Sequence, residues 1–106
     1  MQTIYLKKFG KVLVSRPAGL EAFNAIRPTL KAQEPVQVDF EGVLTVTPSW
    51  FDEFLINLAE YASGGVVLLP TSNASVLAAL PVLAGDRHDK AAEIIQRFLK
   101  EKNAQK

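Results

Sequence analysis

Alternating apolar and polar residues near the start of the chain predict two short strands. In residues 3–8 the apolar side chains Ile4 and Leu6 alternate with polar neighbours, and residues 11–15 repeat the pattern with Val12 and Val14. This period is typical of strands with one buried face, and the intervening Phe9-Gly10 favours a tight turn. We therefore expect these two strands to form a β-hairpin.

A helix is predicted to follow the second strand. Ser15 is suited to cap its N-terminus, and Pro17 fits the first turn, where its missing N–H is not needed. Pro28 is expected to end or kink the helix. The apolar residues that recur at helical spacing are Leu20, Phe23, Ile26 and Leu30.

Two further strands are predicted from residues 36–40 and 66–69. The first segment alternates in the same way and is expected to form a central strand that ends near Glu41-Gly42. The second is a continuous apolar run between Gly65 and Pro70, which favours a buried parallel strand over an edge strand.

The most clearly marked helix is predicted to begin near Ser49. Ser49 and Asp52 have the spacing of a capping box, and Asp52 and Glu53 place negative charge where the helix dipole favours it. Gly64-Gly65 is suited to end this helix. The apolar positions between these limits cover more than one face of the helix.

Two more helices complete the predicted order, β-β-α-β-α-β-α-α. Ser72 or Asn73 is suited to cap the third helix, and Asp86 or Asp89 the fourth. A chain of 106 residues has the length of one domain, so we expect residues 1–106 to form a single α/β unit. Its mixed central sheet would combine the N-terminal hairpin with two further strands and about four helices.

Composition narrows the possible classes of protein. Hydrophobic residues make up 48% of the chain and charged residues 22%, as in ordinary globular proteins, which argues against disorder. The absence of cysteine excludes disulfides, thiolate zinc sites and cysteine nucleophiles. No segment has the pattern of a signal peptide or the length of a membrane span, so we expect a cytoplasmic protein with no membrane contact.

Charge is distributed unevenly along the chain. Residues 32–86 contain seven acidic residues and no Lys or Arg, whereas residues 1–31 contain six Lys or Arg and one Glu. The acidic middle is explained either by a solvated edge or by a surface that faces a partner. Nucleic-acid binding is disfavoured, because no nucleic-acid-binding motif accompanies a pI of about 8.0.

The sequence provides no recognisable catalytic or metal-binding set. His88 is the only histidine, and the carboxylates of Asp39, Asp52 and Glu53 are explained by a strand end and a helix start. Gly64-Gly65 precedes a strand, whereas a phosphate-binding loop follows one. We therefore expect no enzyme activity, no metal and no cofactor.

Several motifs between residues 9 and 54 resemble the STAS-like family, small domains of unknown function related to anti-sigma-factor antagonists. These motifs are Phe9-Gly10, Ser15-Arg16, the strand end Asp39-Phe40-Glu41-Gly42-Val43 and the helix start Pro48-Ser49-Trp50-Phe51-Asp52-Glu53-Phe54. The resemblance implies a STAS-like sandwich that regulates another protein by binding it. Typical partners have a histidine-kinase-like ATP-binding fold, and serine phosphorylation sometimes controls the contact.

The phosphorylation switch of this family does not transfer directly to this chain. In the antagonists an Asp-Ser pair starts the helix and the serine accepts the phosphate, but here Thr47 and Pro48 occupy those positions. Ser49 is the nearest hydroxyl, and its role as a helix cap explains it without phosphorylation. Ser49 and Thr47 remain candidate phosphoacceptors, although we expect no phosphorylation switch.

The start of this helix is the predicted partner site. Two adjacent aromatics there suggest that one of them is exposed, although Trp50 is by itself typical of a core position. The residues predicted to bind the partner are Ser49, Trp50, Phe51, Asp52 and Glu53.

Three further expectations accompany this site. Arg16 is expected to form a structural ion pair with Asp39 or Glu41.

The alternative functions are an unphosphorylated adaptor or inhibitor that binds another protein, or a small-molecule or nucleotide-binding domain. The chain is expected to be a monomer or a weak homodimer.

Overall fold

The computed structural model describes residues 1–85 and 87–104, with side chains as far as residue 102. Its α/β class and its four helices confirm the coarse prediction for this part of the chain. The elements are β1 (Gln2–Tyr5), β2 (Val12–Leu13), α1 (Arg16–Ile26), β3 (Val36–Asp39), β4 (Thr45–Val46), α2 (Pro48–Tyr61), β5 (Val66–Leu68), α3 (Ala74–Ala84) and α4 (Lys90–Ala104).

The predicted N-terminal hairpin is wrong. β1 pairs with β3 and β2 pairs with β4, and both pairings are parallel. A 3-10 turn, Leu6–Phe9, separates the first two strands and buries Leu6 completely, so the chain moves to a second sheet instead of folding back. Because β3 also pairs with β5 in parallel, the expected mixed sheet is replaced by two parallel sheets in the described residues.

The chain follows the same path twice. Strand, turn, strand and helix occur as β1, β2 and α1, and then again as β3, β4 and α2. The second set stacks on the first, which makes β3 the central strand as predicted. β5 pairs with β3 in parallel, as predicted, but it is an edge strand of the first sheet, contrary to the prediction. Val66 and Leu68 are buried, whereas Val67 between them is 38% exposed.

Side-chain caps begin three of the helices where the sequence indicates. Asn73 accepts hydrogen bonds from two N–H groups of α3, and the Asp89 carboxylate accepts one from the N–H of Ala92. Ser15 accepts one from the N–H of Ala18 while it adopts φ 76° and ψ 145°, which non-glycine residues rarely adopt. Asp86, the other predicted cap of the fourth helix, lies outside the described residues.

Close packing of α1 on α2 holds the two stacked sets together. Gly19 of α1 lies directly against the backbone of Trp50, and a Cβ atom added there would overlap the Trp50 carbonyl oxygen. Above this contact the indole ring of Trp50 stacks on Phe54, with centroids 5.1 Å apart, and Phe9 packs against both rings. A glycine is therefore required at this helix crossing.

We expect Gly19→Ala to destabilise the protein by about 2–3 kcal/mol, because the overlap forces the helices apart. This cost exceeds the gain of about 1 kcal/mol that alanine brings to a helix interior. Gly85→Ala is the control, since its added Cβ would lie 3.6 Å from the nearest atom, the Val82 carbonyl oxygen. Urea unfolding measures both variants, and a Gly19→Ala protein as stable as the Gly85→Ala control would contradict the packing argument.

Candidate functional site

The N-termini of α1 and α2 lie side by side at one edge of the fold. β2 and β4 are parallel neighbours, and each leads into its helix within three residues. The N–H of Thr47 donates to the carbonyl of Leu13 at 3.0 Å, which fixes the two strand ends together. The predicted partner-site residues therefore lie next to Ser15 and Arg16, which the sequence placed at the start of another helix.

Five charged side chains join the starts of three helices. We call Arg16, Asp52, Glu53, Arg87 and Asp89 the ionic cluster. Arg16 Nη1 lies 3.0 Å from Asp52 Oδ2 and 3.2 Å from Glu53 Oε1. On the other side, Arg87 Nη1 contacts Asp52 Oδ1, while its Nη2 lies 2.6 Å from Asp89 Oδ2. The cluster thus connects α1, α2 and the segment before α4.

Asp52 is the centre of this cluster. Its side chain is only 12% exposed, and each carboxylate oxygen accepts a hydrogen bond from a different guanidinium group. Such pairing compensates a charge that would otherwise be costly to remove from water. Asp52 therefore links the start of α1 to the segment before α4.

The ionic cluster corrects the predicted pairing of Arg16. Arg16 binds Asp52 and Glu53 instead of Asp39 or Glu41, because close packing brings the start of α1 against α2. Asp39 instead accepts a hydrogen bond from the N–H of Glu41 at 2.9 Å and ends β3 in a turn. This turn agrees with the structural role that the sequence suggests for Asp39.

Hydrogen bonding in the cluster favours its charged forms. The hydrogen bond from Arg87, together with one from the N–H of Ala92, holds the pKa of Asp89 below its usual value of 3.8. The hydrogen bond to Asp52 raises the pKa of Arg16, and those to Asp89 and Asp52 raise the pKa of Arg87. The arginines therefore stay charged across the physiological pH range.

Both aromatics of the predicted partner site are buried, so the expectation that one is exposed is wrong. Trp50 is 2% exposed and Phe51 is fully buried. Phe51 packs on Phe40 of the adjacent strand end, with centroids 5.5 Å apart, whereas Trp50 faces α1 and Phe9. α2 is covered on two sides, which explains why its apolar positions extend over more than one face.

Exposed apolar residues lie instead on the neighbouring two-stranded sheet. Val12, Val14 and Leu44 are 60%, 44% and 66% exposed, and together with Thr45 we call them the β2–β4 strip. Val12 lies opposite Thr45 in the parallel register, and the N–H of Leu44 donates to the carbonyl of Lys11. The sequence analysis placed Val12 and Val14 inside, but Leu13 is the residue that faces the core.

Ser49 does not cap α2. Pro48 is the first helical residue and the preceding Thr47 has extended dihedral angles, so the cap is Thr47, whose Oγ1 accepts from the N–H of Trp50 at 3.5 Å. Ser49 lies inside the first turn, with its Oγ 3.3 Å from Thr47 Oγ1. The sequence missed this cap because the capping-box spacing from Ser49 to Asp52 was the stronger signal.

We also looked for metal-binding groups, for membrane-spanning helices and for similar known proteins. His88 is exposed, and the described residues contain no group of three or more His, Asp or Glu side chains placed to hold a metal ion. Within the same residues, no helix has the length and hydrophobicity required to cross a membrane. No family model matches the chain, and no match was found among curated proteins or solved structures.

We expect Thr47→Ala to lower the free energy of unfolding by about 1 kcal/mol, because it removes the cap of α2. Ser49→Ala, the matched control two residues away, should change it by less than about 0.5 kcal/mol. Thermal and urea unfolding of both variants measure the difference. A larger loss for Ser49→Ala than for Thr47→Ala would restore Ser49 as the cap.

Asp52→Asn should destabilise the protein by about 2–3 kcal/mol, because it keeps the shape of the side chain but leaves two arginines without their shared anion. Glu53→Gln, on the adjacent residue, should cost less than about 1 kcal/mol, since Glu53 is more exposed and contacts only Arg16 among the arginines of the cluster. Equal losses in urea unfolding would show that Asp52 is not the centre of the cluster.

Proposed function

We propose that this chain is a non-enzymatic, STAS-like protein-recognition domain that regulates a protein partner in the cytoplasm. Its contact surface is the helix-start face, which we define as the β2–β4 strip together with Arg16, Ser49 and Glu53. The observation that carries this proposal is the exposed apolar strip beside the charged helix starts. Apolar area bordered by polar and charged groups is characteristic of protein interfaces.

The rigidity of the support favours recognition by a preformed surface. Directly below the strip, Leu13 and Trp50 are almost fully buried, and Thr47 ties β4 and α2 to β2. A surface held in this way loses little conformational freedom when a partner binds, which favours affinity. The strip also supplies the apolar contacts that the sequence analysis assigned to Trp50 and Phe51.

The resemblance to STAS-like domains supports a partner with a histidine-kinase-like ATP-binding fold. Binding then depends on surface complementarity and not on phosphorylation, because Pro48 occupies the usual acceptor position. Thr47 Oγ1 serves as the cap of α2, and the hydroxyl of Ser49 lies against it. The ionic cluster supports a non-catalytic role, since each oxygen of its central carboxylate accepts a hydrogen bond from an arginine.

Site-specific photocrosslinking in the native cells tests this surface. A photoreactive amino acid at Val12 or Leu44 should give a discrete covalent adduct with one partner protein. The same amino acid at Val82, which is 69% exposed on α3, is the control and should give no such adduct. Mass spectrometry of the adduct should identify a protein with a histidine-kinase-like ATP-binding domain.

Two results would contradict the proposal. Equal adducts at all three positions would indicate nonspecific contact, and an adduct confined to Val82 would place the interface on α3. If the adduct contains one partner protein that lacks an ATP-binding domain, the result would support protein recognition at this face but contradict the proposed class of partner.

A further inference from the structure

β2 has one free edge. The carbonyls of Lys11 and Leu13 accept hydrogen bonds from the β4 side, and in a strand the backbone groups of successive residues point to opposite sides. The N–H groups of Val12 and Val14 and the carbonyl of Val12 are therefore directed away from β4. β2 has no second strand neighbour in the described part of the chain, so this side is available for pairing.

A groove runs beside this free edge. It has a volume of about 520 Å³ and lies between β2 and α1. Small side chains on α1 leave room for an incoming side chain, and two aromatic rings provide an apolar base. The residues that form it include Phe9, Val12, Val14, Ala18, Ala22 and Trp50.

Positive charge surrounds the beginning of β2. Lys7, Lys8 and Lys11 are exposed and take part in none of the ion pairs formed within residues 1–85 and 87–104. Glu21 lines the groove, whereas the three lysines lie within three residues of Gly10 in the sequence. This distribution complements an acidic segment whose negative residues lie near Gly10.

We propose that an extended, acidic segment of a partner protein adds to the free edge of β2 as a further strand. Its main chain bonds to Val12 and Val14, one apolar side chain enters the groove, and its Asp or Glu residues face Lys8 and Lys11. The proposal rests on the proposed function and specifies the chemistry of the partner. A second copy of this chain paired through its own β2 is disfavoured as the occupant, because residues 7–15 contain no Asp or Glu to face Lys8 and Lys11.

A displayed library of random heptapeptides, selected against the purified protein, tests this chemistry without knowledge of the natural partner. Enriched peptides should carry Asp or Glu at one end and an apolar residue within an extended core. The change in fluorescence of Trp50, the only tryptophan, should report their binding directly. Enrichment of basic or uncharged peptides, or no enrichment at all, would overturn the proposal.

Backbone methylation of the best peptide separates strand pairing from general apolar contact. N-methylation of residues whose N–H faces β2 should abolish binding, whereas methylation of the intervening residues should leave it nearly unchanged. If both methylated series bind equally well, the segment does not pair with β2.

Charge reversal on the protein tests the role of the lysines. Lys8→Glu/Lys11→Glu should weaken binding of the acidic peptide about tenfold or more, and the loss should shrink at high salt. Lys90→Glu/Lys100→Glu has the same change in net charge on α4 and should bind almost normally. Equal weakening by both variants would assign the effect to net charge and overturn the site.

These experiments are independent of the photocrosslinking test. An adduct at Val12 in cells, combined with failure of peptide binding, would retain the helix-start face as an interface but exclude strand addition. Peptide binding without a cellular adduct at Val12 would show that the free edge of β2 can accept an added strand, but it would overturn the occupation of this edge by a partner protein in the cell.

Discussion

The crossing of α1 over α2 at Gly19 is the contact on which the rest of the structure depends. Only a residue without a side chain lets the helix backbones approach closely enough for Trp50 to fill the space between α1 and Phe9. The same approach brings Arg16 to Asp52 and sets β2 beside β4. The burial of Trp50 and the pairing of Arg16 with Asp52 therefore both depend on one close helix contact.

The ionic cluster contributes more to the relative orientation of the helices than to the free energy of unfolding. Apolar contacts alone would let α1 and the start of α4 slide along α2, whereas hydrogen bonds from two guanidinium groups to one carboxylate require a defined arrangement. Removing Asp52 from water offsets much of the electrostatic gain. The cluster thus helps to specify how the helices are oriented, and it leaves part of Arg16 and Glu53 at the surface.

The sequence predicts local features of this fold better than pairings between distant segments. Ser15, Asn73 and Asp89 are caps as expected, because capping depends on neighbouring residues. The hairpin prediction was wrong because alternation of apolar and polar residues shows that a segment forms a strand, but it does not show which strand pairs with it. The inward face of β2 could not be determined either, since Val12, Leu13 and Val14 are consecutive apolar residues and either alternation fits them. The same limit concealed the exposed strip, which exists only because Leu13 faces inward.

The absence of local strand pairing has a consequence for how the chain reaches its native state. Residues 3 and 37, which hydrogen-bond between β1 and β3, are 34 positions apart, and both sheets depend on contacts of this range. Contacts between distant segments form slowly, because a long loop must close before any of them is gained. During synthesis, β1, β2 and α1 leave the ribosome before the strands and the helix on which they pack. The edge of β2 that pairs with β4 is therefore without a partner in the nascent chain until residues 45–46 have emerged, and this interval is when the chain is most vulnerable to misassociation.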